Sequence, residues 1–271
     1  MKLSVFTPLK NEAEYIGYSV MAIAPYVHEF VYGVSPSTDG TMDILQDIKS
    51  KHVGDKLKLF EMDDFDVRDQ KAYEGAYNFL IQKATGDALF YLHADMIVTN
   101  GQMIDQIVPG PLAWWTIIRS FAGDRTTEIV QGRAKKWKNI HANKFGVHYA
   151  GAYGSQNEDM YFRDITGTSY RQYDDFNGYP FELAPSKLIV HHYCEAKTYS
   201  RRLEKMRICL KQQHPGWDDK LIDEMATIHP RVTLEPSSER FGHFEFVPMP
   251  DSLPDVFEKY KPTGKGELVY G

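Results

Sequence analysis

The feature that most constrains this chain is an alternation in its first hundred residues, where short apolar runs take turns with stretches of helical periodicity. Leu3 to Thr7 reads as a buried strand closed by Pro8. Asn11-Glu12-Ala13-Glu14 then opens a helix, with Asn11 as its cap and the acids placed to suit the N-terminal dipole. Phe30 to Val34 is a second strand, and Thr38 or Asp39 caps a helix carrying Met42, Ile44, Leu45 and Ile48. Lys56 to Met62 is a third strand, Arg68 to Ala84 a long helix, and Asp87 to His93 a fourth strand. Strands alternating with helices predict an α/β fold with a mostly parallel central sheet flanked by helices. Ligands of such sheets sit beyond the carboxyl ends of the strands. The loops expected there are Pro8 to Glu12, Val34 to Asp39, Met62 to Arg68 and His93 to Asp95, all of them polar or charged.

Past residue 100 the alternation fades. Trp114 to Arg119 and Leu188 to Tyr193 read as strands, and 141–180, rich in Gly, Tyr and Asp, as loops over the site. Lys197 to Gln213 is a helix ended before His214-Pro215-Gly216. The tail, with Pro236, Pro248, Pro250, Pro254 and Pro262, is expected to be irregular. The expected organisation is a catalytic domain over 1–195, with a C-terminal helix and irregular tail over 196–271 packed on it.

Composition narrows the function classes. A net charge of -6 argues against a global phosphate-binding surface. The two cysteines, Cys194 and Cys209, fit neither a zinc spacing nor a disulfide framework, which points to a reducing, cytoplasmic setting. No run approaches the roughly 20 apolar residues of a membrane span. Arg133 with Lys135-Lys136-Trp137-Lys138 is the strongest basic cluster, suited to an acceptor phosphate, an anionic surface or plain solvation. The helix with Arg201, Arg202, Lys205, Arg207 and Lys211 is basic too, with Leu203, Met206 and Leu210 on an inner stripe; it reads as a docking helix or an amphipathic cover.

His93-Ala94-Asp95 places two potential donors at the end of a buried strand, where a divalent ion could bridge the phosphates of a diphosphate. The alternative is that Asp95 caps the following turn and His93 fills the strand end. His191 and His192 lie next to each other on a strand, so only one, with His192 preferred, reaches the same site.

Four landmarks in order carry a resemblance: Thr7-Pro8-Leu9-Lys10-Asn11-Glu12, Ser37-Thr38-Asp39-Gly40-Thr41, Ala84-Thr85-Gly86-Asp87 and Leu92-His93-Ala94-Asp95. Together they resemble the P-x-x-N-E, D-G-S-T-D-G-T, A-x-G-D and L-D-A-D text of family 2 glycosyltransferases of the GT-A fold. The resemblance implies a sugar transferase using a nucleotide-diphosphate-sugar and an acceptor hydroxyl, metal-assisted and inverting. It places Pro8, Glu12, Ser35, Asp39 and His93 in the nucleotide-sugar site and Arg68 and Lys71 near the diphosphate. Asp95 becomes the main metal ligand, with His93 and His192 beside it. Asp159, with Glu158 as alternate, becomes the base that deprotonates the acceptor; in the residues alone, Asn157-Glu158-Asp159 equally suits a helix N-terminus. Asp174-Asp175 is a competing pair.

Two departures stand out. His93 replaces the first acid of the metal motif, which favours manganese over magnesium. Val34-Ser35-Pro36 lacks the acid expected to contact a uracil base. The acceptor, whether glycan, lipid-linked sugar, protein or nucleic-acid base, is not legible. Rival readings are a nucleotidyltransferase, which would begin with a Gly-rich loop after the first strand, and a degenerate GT-A domain that only binds.

Overall fold

The computed structural model describes residues 1–64, 69–107, 113–122, 127–130, 135–142, 148–149, 161–163, 169–171, 183–228 and 245–248. Its centre is four parallel strands in the spatial order β3-β2-β1-β4: β1 (Leu3–Leu9), β2 (Glu29–Val34), β3 (Leu57–Glu61) and β4 (Ala88–Tyr91). Between them run α1 (Ile16–Ile23), α2 (Thr41–Ile48) and α3 (Gln70–Lys83). Every residue of β2 and β4 is buried, as parallel strands covered on both faces require. Side chains alternate between two cores. Leu3, Val5, Phe30 and Tyr32 join the large core, while Phe6, Val31, Leu89 and Tyr91 pack against Tyr77, Leu80 and Ile81 of α3.

Beyond β4 the sheet becomes mixed. It continues through β5 (Met96–Val98), β6 (Ala113–Ala122), β7 (Thr127–Val130), β8 (Lys135–Ala142) and β12 (Leu183–Glu195). Strand β8 is antiparallel to both β4 and β6. Strand β12 runs parallel to β6 and antiparallel to β5, and so returns to the edge where β1, β2 and β4 end. Three short strands, β9 (His148–Tyr149), β10 (Tyr161–Arg163) and β11 (Ser169–Arg171), form a separate antiparallel sheet. Helices α4 (Tyr199–Gln213) and α5 (Asp219–Ile228) pack together through Met206, Leu210, Ile222 and Ala226. Strand β13 (Glu245–Pro248) pairs with β7 in the main sheet. No helix among the described residues is long and apolar enough to cross a membrane.

Three local expectations are corrected. Strand β1 does not stop before Pro8: it pairs with β2 through Leu9. The odd residues of β1 hydrogen-bond towards β2, as the Leu9 carbonyl does to the Ser35 N–H, so Pro8 faces the β4 side. There β4 has already ended opposite Phe6, so the missing proline N–H costs no ladder bond. Helix α1 begins at Ile16 rather than at Glu12, and Asn11 does not cap it; Asn11 sits at φ 53 and turns the loop instead. The tail, expected to be irregular, contains α5 and β13.

The Ala84-Thr85-Gly86-Asp87 landmark lies at the amino-terminal end of the sheet and acts as a clamp. The Thr85 N–H and hydroxyl donate to buried Glu29, the Gly86 N–H donates to Ser4 Oγ at 2.8 Å, and Asp87 pairs with the Lys2 backbone. Burial alone would raise the Glu29 carboxyl, but Lys58, Ser4 and Thr85 hold it down at about 2. A Cβ on Gly86 would stand 2.5 Å from Ser4 Oγ, 2.8 Å from the Lys2 carbonyl and 2.9 Å from the Ser4 nitrogen. Two of these atoms are backbone and cannot step aside without moving β1. Gly86→Ala should therefore lower the unfolding free energy by about 1–3 kcal/mol in urea titrations. A loss under about 0.5 kcal/mol, the range of ordinary surface changes, would show that β1 yields freely there.

Candidate active site

The first two landmark loops are locked to each other. The N–H groups of Asn11, Glu12 and Ala13 donate to Ser37 Oγ, Thr41 Oγ1 and Asp39 Oδ2 at 3.0, 2.7 and 2.9 Å. Asn11 Oδ1 accepts the Thr38 N–H, and Asp39 Oδ1 accepts both the N–H and the hydroxyl of Thr41. Gly40, at φ 89, supplies the left-handed turn that lets Asp39 serve its own loop and the neighbouring one together. Asp39 is thus engaged through both oxygens in holding the loops. Ser35 is buried, with its N–H on the Leu9 carbonyl. Pro8 is half-buried beside it, and Lys71 is exposed in the first turn of α3, after the Asp69 cap. Arg68, Glu158, Asp159 and the Asp174-Asp175 pair lie outside the described residues.

Glu12, carried by the first loop, starts a chain of charges that crosses the strand ends. Its Oε2 accepts from Lys197 Nζ at 2.9 Å and its Oε1 faces an Arg201 guanidinium nitrogen at 3.2 Å. Lys197 also reaches Asp95 Oδ2 at 3.0 Å, and Lys205 meets the same oxygen at 2.6 Å. Arg201 pairs with Glu204 and donates to the Lys10 carbonyl, while Glu204 accepts from Asn11 Nδ2 at 2.8 Å. Among the described residues three acids, Glu12, Asp95 and Glu204, thus meet three bases, Lys197, Arg201 and Lys205. The Lys197 side chain is 0% exposed, Asp95 1% and Lys205 34%, so of the two lysines on Asp95 only Lys205 faces outward.

Asp95 is positioned by its backbone as well. Its carbonyl accepts the Tyr193 N–H at 2.9 Å, and the turn before it is closed by Met96 N–H on the His93 carbonyl. Tyr193 stacks on Tyr15, whose hydroxyl donates to the Ala196 carbonyl, so the segment carrying Lys197 is anchored to the region before α1. The two histidines of β12 part as adjacent strand residues must. His191 is buried against Phe121 and within 3.2 Å of the Tyr193 hydroxyl, whereas His192 Nε2 stands 3.5 Å from Asp95 Oδ1. His93 lies at the end of a Tyr77–Tyr91–His93 series, with its ring 6.3 Å from that of His192.

Lys197, Arg201, Glu204 and Lys205 are the site residues that sequence reasoning missed as a unit. Their signal was present: 201, 204 and 205 share one face of a helix, and 197 lies just before it. What sequence spacing cannot show is that this face lands on a strand end about a hundred residues earlier.

Residues 4–110 match the sequence model of Glycosyl transferase family 2. Their β1-α1-β2-α2-β3-α3-β4 order and the placement of the four landmarks agree with that match. Over that stretch the chain is similar to a family 2 glycosyltransferase domain of the GT-A fold. No curated protein sequence matches the chain. Among solved structures, S. aureus TarS 1-349 in complex with UDP-GlcNAc is similar over 83% of this chain and 70% of that one, at 14% identity and TM-score 0.43. Against the longer S. aureus TarS structure the match covers 83% of this chain and 42% of that one, at 14% identity and TM-score 0.41. GalNAc-T7 with UDP, GalNAc and Mn2+ is similar over 84% and 55%, at 14% identity and TM-score 0.39.

The glycosyltransferase resemblance implies a divalent ion at Asp95, and the described residues around it do not fit one. Among the described residues no group of three His, Cys, Asp or Glu side chains is placed to hold a metal. Asp95 Oδ2 already carries two ammonium groups; among the described residues Oδ1 is buried without a hydrogen-bond partner, with His192 Nε2 3.5 Å away. A doubly charged ion about 4 Å from each lysine would be repelled by roughly 8 kcal/mol per lysine at an effective dielectric near 20. Lys197 cannot withdraw, because it is buried and also holds Glu12.

The charges set protonation states accordingly. Burial alone would raise the Asp95 carboxyl; Lys197, Lys205 and His192 reverse this and hold it well below the usual carboxylate range. Burial pushes His93 down to about 3, with Lys205, His192 and Lys197 adding to it against the opposing charge of Asp95. Burial, helped by Arg119, does the same to His191, also to about 3.

Two outcomes follow. Lys197→Met would strand two acids without their buried counter-ion, and should cost about 3–5 kcal/mol of unfolding free energy. A loss below about 1 kcal/mol, the value of an exposed pair, would mean that other groups neutralise Asp95 and Glu12. His93 and His191 are neutral in the fold but bind protons when unfolded, so their contribution is full above pH 6.5 and lost as pH falls towards 3. Each should remove roughly 2 kcal/mol between pH 7 and 5. His191→Gln should therefore flatten that dependence in denaturation curves by about half; an unchanged slope would show that His191 accepts a proton without unfolding.

Proposed function

We propose that this chain transfers a sugar from a nucleotide-diphosphate-sugar to an acceptor hydroxyl with inversion at the anomeric carbon. The observation that carries the reading is the convergence of three of the four landmarks, those after β1, β2 and β4, on one sheet edge around the buried carboxylate of Asp95. Pro8, Glu12 and Ser35 border the place of the nucleoside, with Arg68 and Lys71 towards the diphosphate. The acceptor oxygen attacks the anomeric carbon from the face opposite the diphosphate, the bond to the diphosphate oxygen breaks, and the diphosphate leaves with the electron pair. Asp159, with Glu158 as alternate, takes the acceptor proton. Asp39 acts by holding two loops in place. Manganese at Asp95, His93 and His192 would be the metal-assisted form of this reading; the two lysines on Asp95 argue against it, and no step is placed on an ion.

A nucleotidyltransferase is disfavoured because the loop after β1 is Pro8-Leu9-Lys10-Asn11-Glu12, without glycine. A cytoplasmic setting is the one proposed, on the cysteine pattern.

A panel of nucleotide-sugars, read by released nucleotide, tests the reading. At least one donor should turn over, and binding of a donor without any turnover would leave only a binding module. Asp159→Asn should keep donor affinity and lose transfer about 10²–10⁴-fold, the usual contribution of a general base. Transfer at the wild-type rate in that variant would place the base elsewhere.

A further inference from the structure

The mismatch between the family's metal and this donor set has a consequence of its own. A leaving diphosphate needs positive charge, and the place where the family puts an ion is held here by ammonium groups. Lys205 Nζ lies 2.6 Å from Asp95 Oδ2, and its side chain is one-third exposed at the carboxyl edge of the sheet. Lys197 lies 3.0 Å from the same oxygen and is wholly buried, tied to Glu12 at 2.9 Å. The two lysines have different tasks. Lys197 neutralises the buried acids and fixes their spacing. Lys205 is the cation that meets solvent, and therefore the one a ligand can reach.

Resting on the proposed transfer reaction, we propose that Lys205 is the resident cation of this site, contacts the diphosphate of the donor, and stands in for the divalent ion. An ammonium is a compact point charge well suited to phosphate oxygens. It has to be aimed, and four contacts aim it. Asp95 orients the amine, Lys197 keeps Asp95 ionised and in place, and α4 is fastened to the first loop by Arg201 on Glu12 and Glu204 on Asn11. Arg201, 11% exposed, is spent on that fastening. The site is thus a carboxylate-anchored lysine carried by a helix from the C-terminal segment, set against the loops of the family domain.

The test uses the full chain with inorganic pyrophosphate as the probe, by calorimetry in EDTA and again in manganese chloride. Wild-type protein should bind pyrophosphate in EDTA, with little gain from manganese. Lys205→Met should weaken binding by about tenfold or more, as expected on losing a charge-assisted contact, and Lys205→Arg should restore most of it. Binding that appears only with manganese would overturn the proposal, as would wild-type affinity in Lys205→Met. The wild-type comparison of EDTA with manganese stands even if a variant fails to fold. Released-nucleotide assays in the same two buffers separate this proposal from the reading beneath it. Turnover that requires manganese overturns the lysine and leaves the transferase. Metal-independent pyrophosphate binding without turnover of any donor supports the lysine site and overturns the transferase.

Discussion

A carboxylate with 1% exposure has to be neutralised where it stands, and the arrangement around Asp95 follows from that requirement. The desolvation that would otherwise protonate the acid is offset by two ammonium groups on one of its oxygens. One of those groups is itself buried and needs a second acid, which Glu12 provides. Glu12 in turn sits on a loop that must be held still, and Arg201 with the Asn11–Glu204 contact holds it from above. Lys197 is the member the others lean on most: it is wholly buried and shared by Asp95 and Glu12, so its removal takes a buried counter-ion from two acids at once.

The landmark residues divide by task once their contacts are known. Asn11, Ser37, Asp39, Gly40 and Thr41 spend their hydrogen-bonding capacity on each other's loops, and Gly86 and Asp87 clamp β4 to the start of β1. The first group builds the edge on which a site can stand, and the second secures the opposite end of the same strands. Glu12 and Asp95 are the landmark acids that turn towards the charges of the C-terminal segment. A motif that reads as one binding signature in sequence is therefore mostly scaffolding, with two charged positions left over for chemistry.

The α/β core was legible because parallel strands buried on both faces read as continuous apolar runs, and β4 and, after Glu29, β2 are such runs. Pro8 misled because a proline inside a run looks like its end, and only the direction of hydrogen bonding along β1 shows that its absent N–H is not needed. Asn11 misled because the same residue type caps helices and tolerates left-handed turns, and here the loop required the turn. In the tail the prolines drew attention away from α5, which packs on α4, and from β13, which pairs with β7. At the site, Asp95 was visible as a polar residue ending an apolar strand, and β12 pointed to His192 by alternation. Lys205 was seen only as a member of a basic helix and Lys197 only as that helix's first residue, because nothing local marks a lysine that will be paired across the sheet. The carboxylates at 158 and 159 fall outside the described residues.

The departure at His93 makes physical sense beside those lysines. In the family's pattern that position is acidic, and a second carboxylate next to Asp95 would add a negative charge for a divalent ion to balance. Here two ammonium groups already sit on Asp95, so a carboxylate at position 93 would be a further buried charge to neutralise. An imidazole held at about 3 by burial and by the neighbouring cations carries no charge at neutral pH and adds none. The need to neutralise Asp95 also explains why the C-terminal helix is bound to the first loop. It delivers Lys205 to the strand ends of the family domain, with Lys197 placed by the short segment just before it.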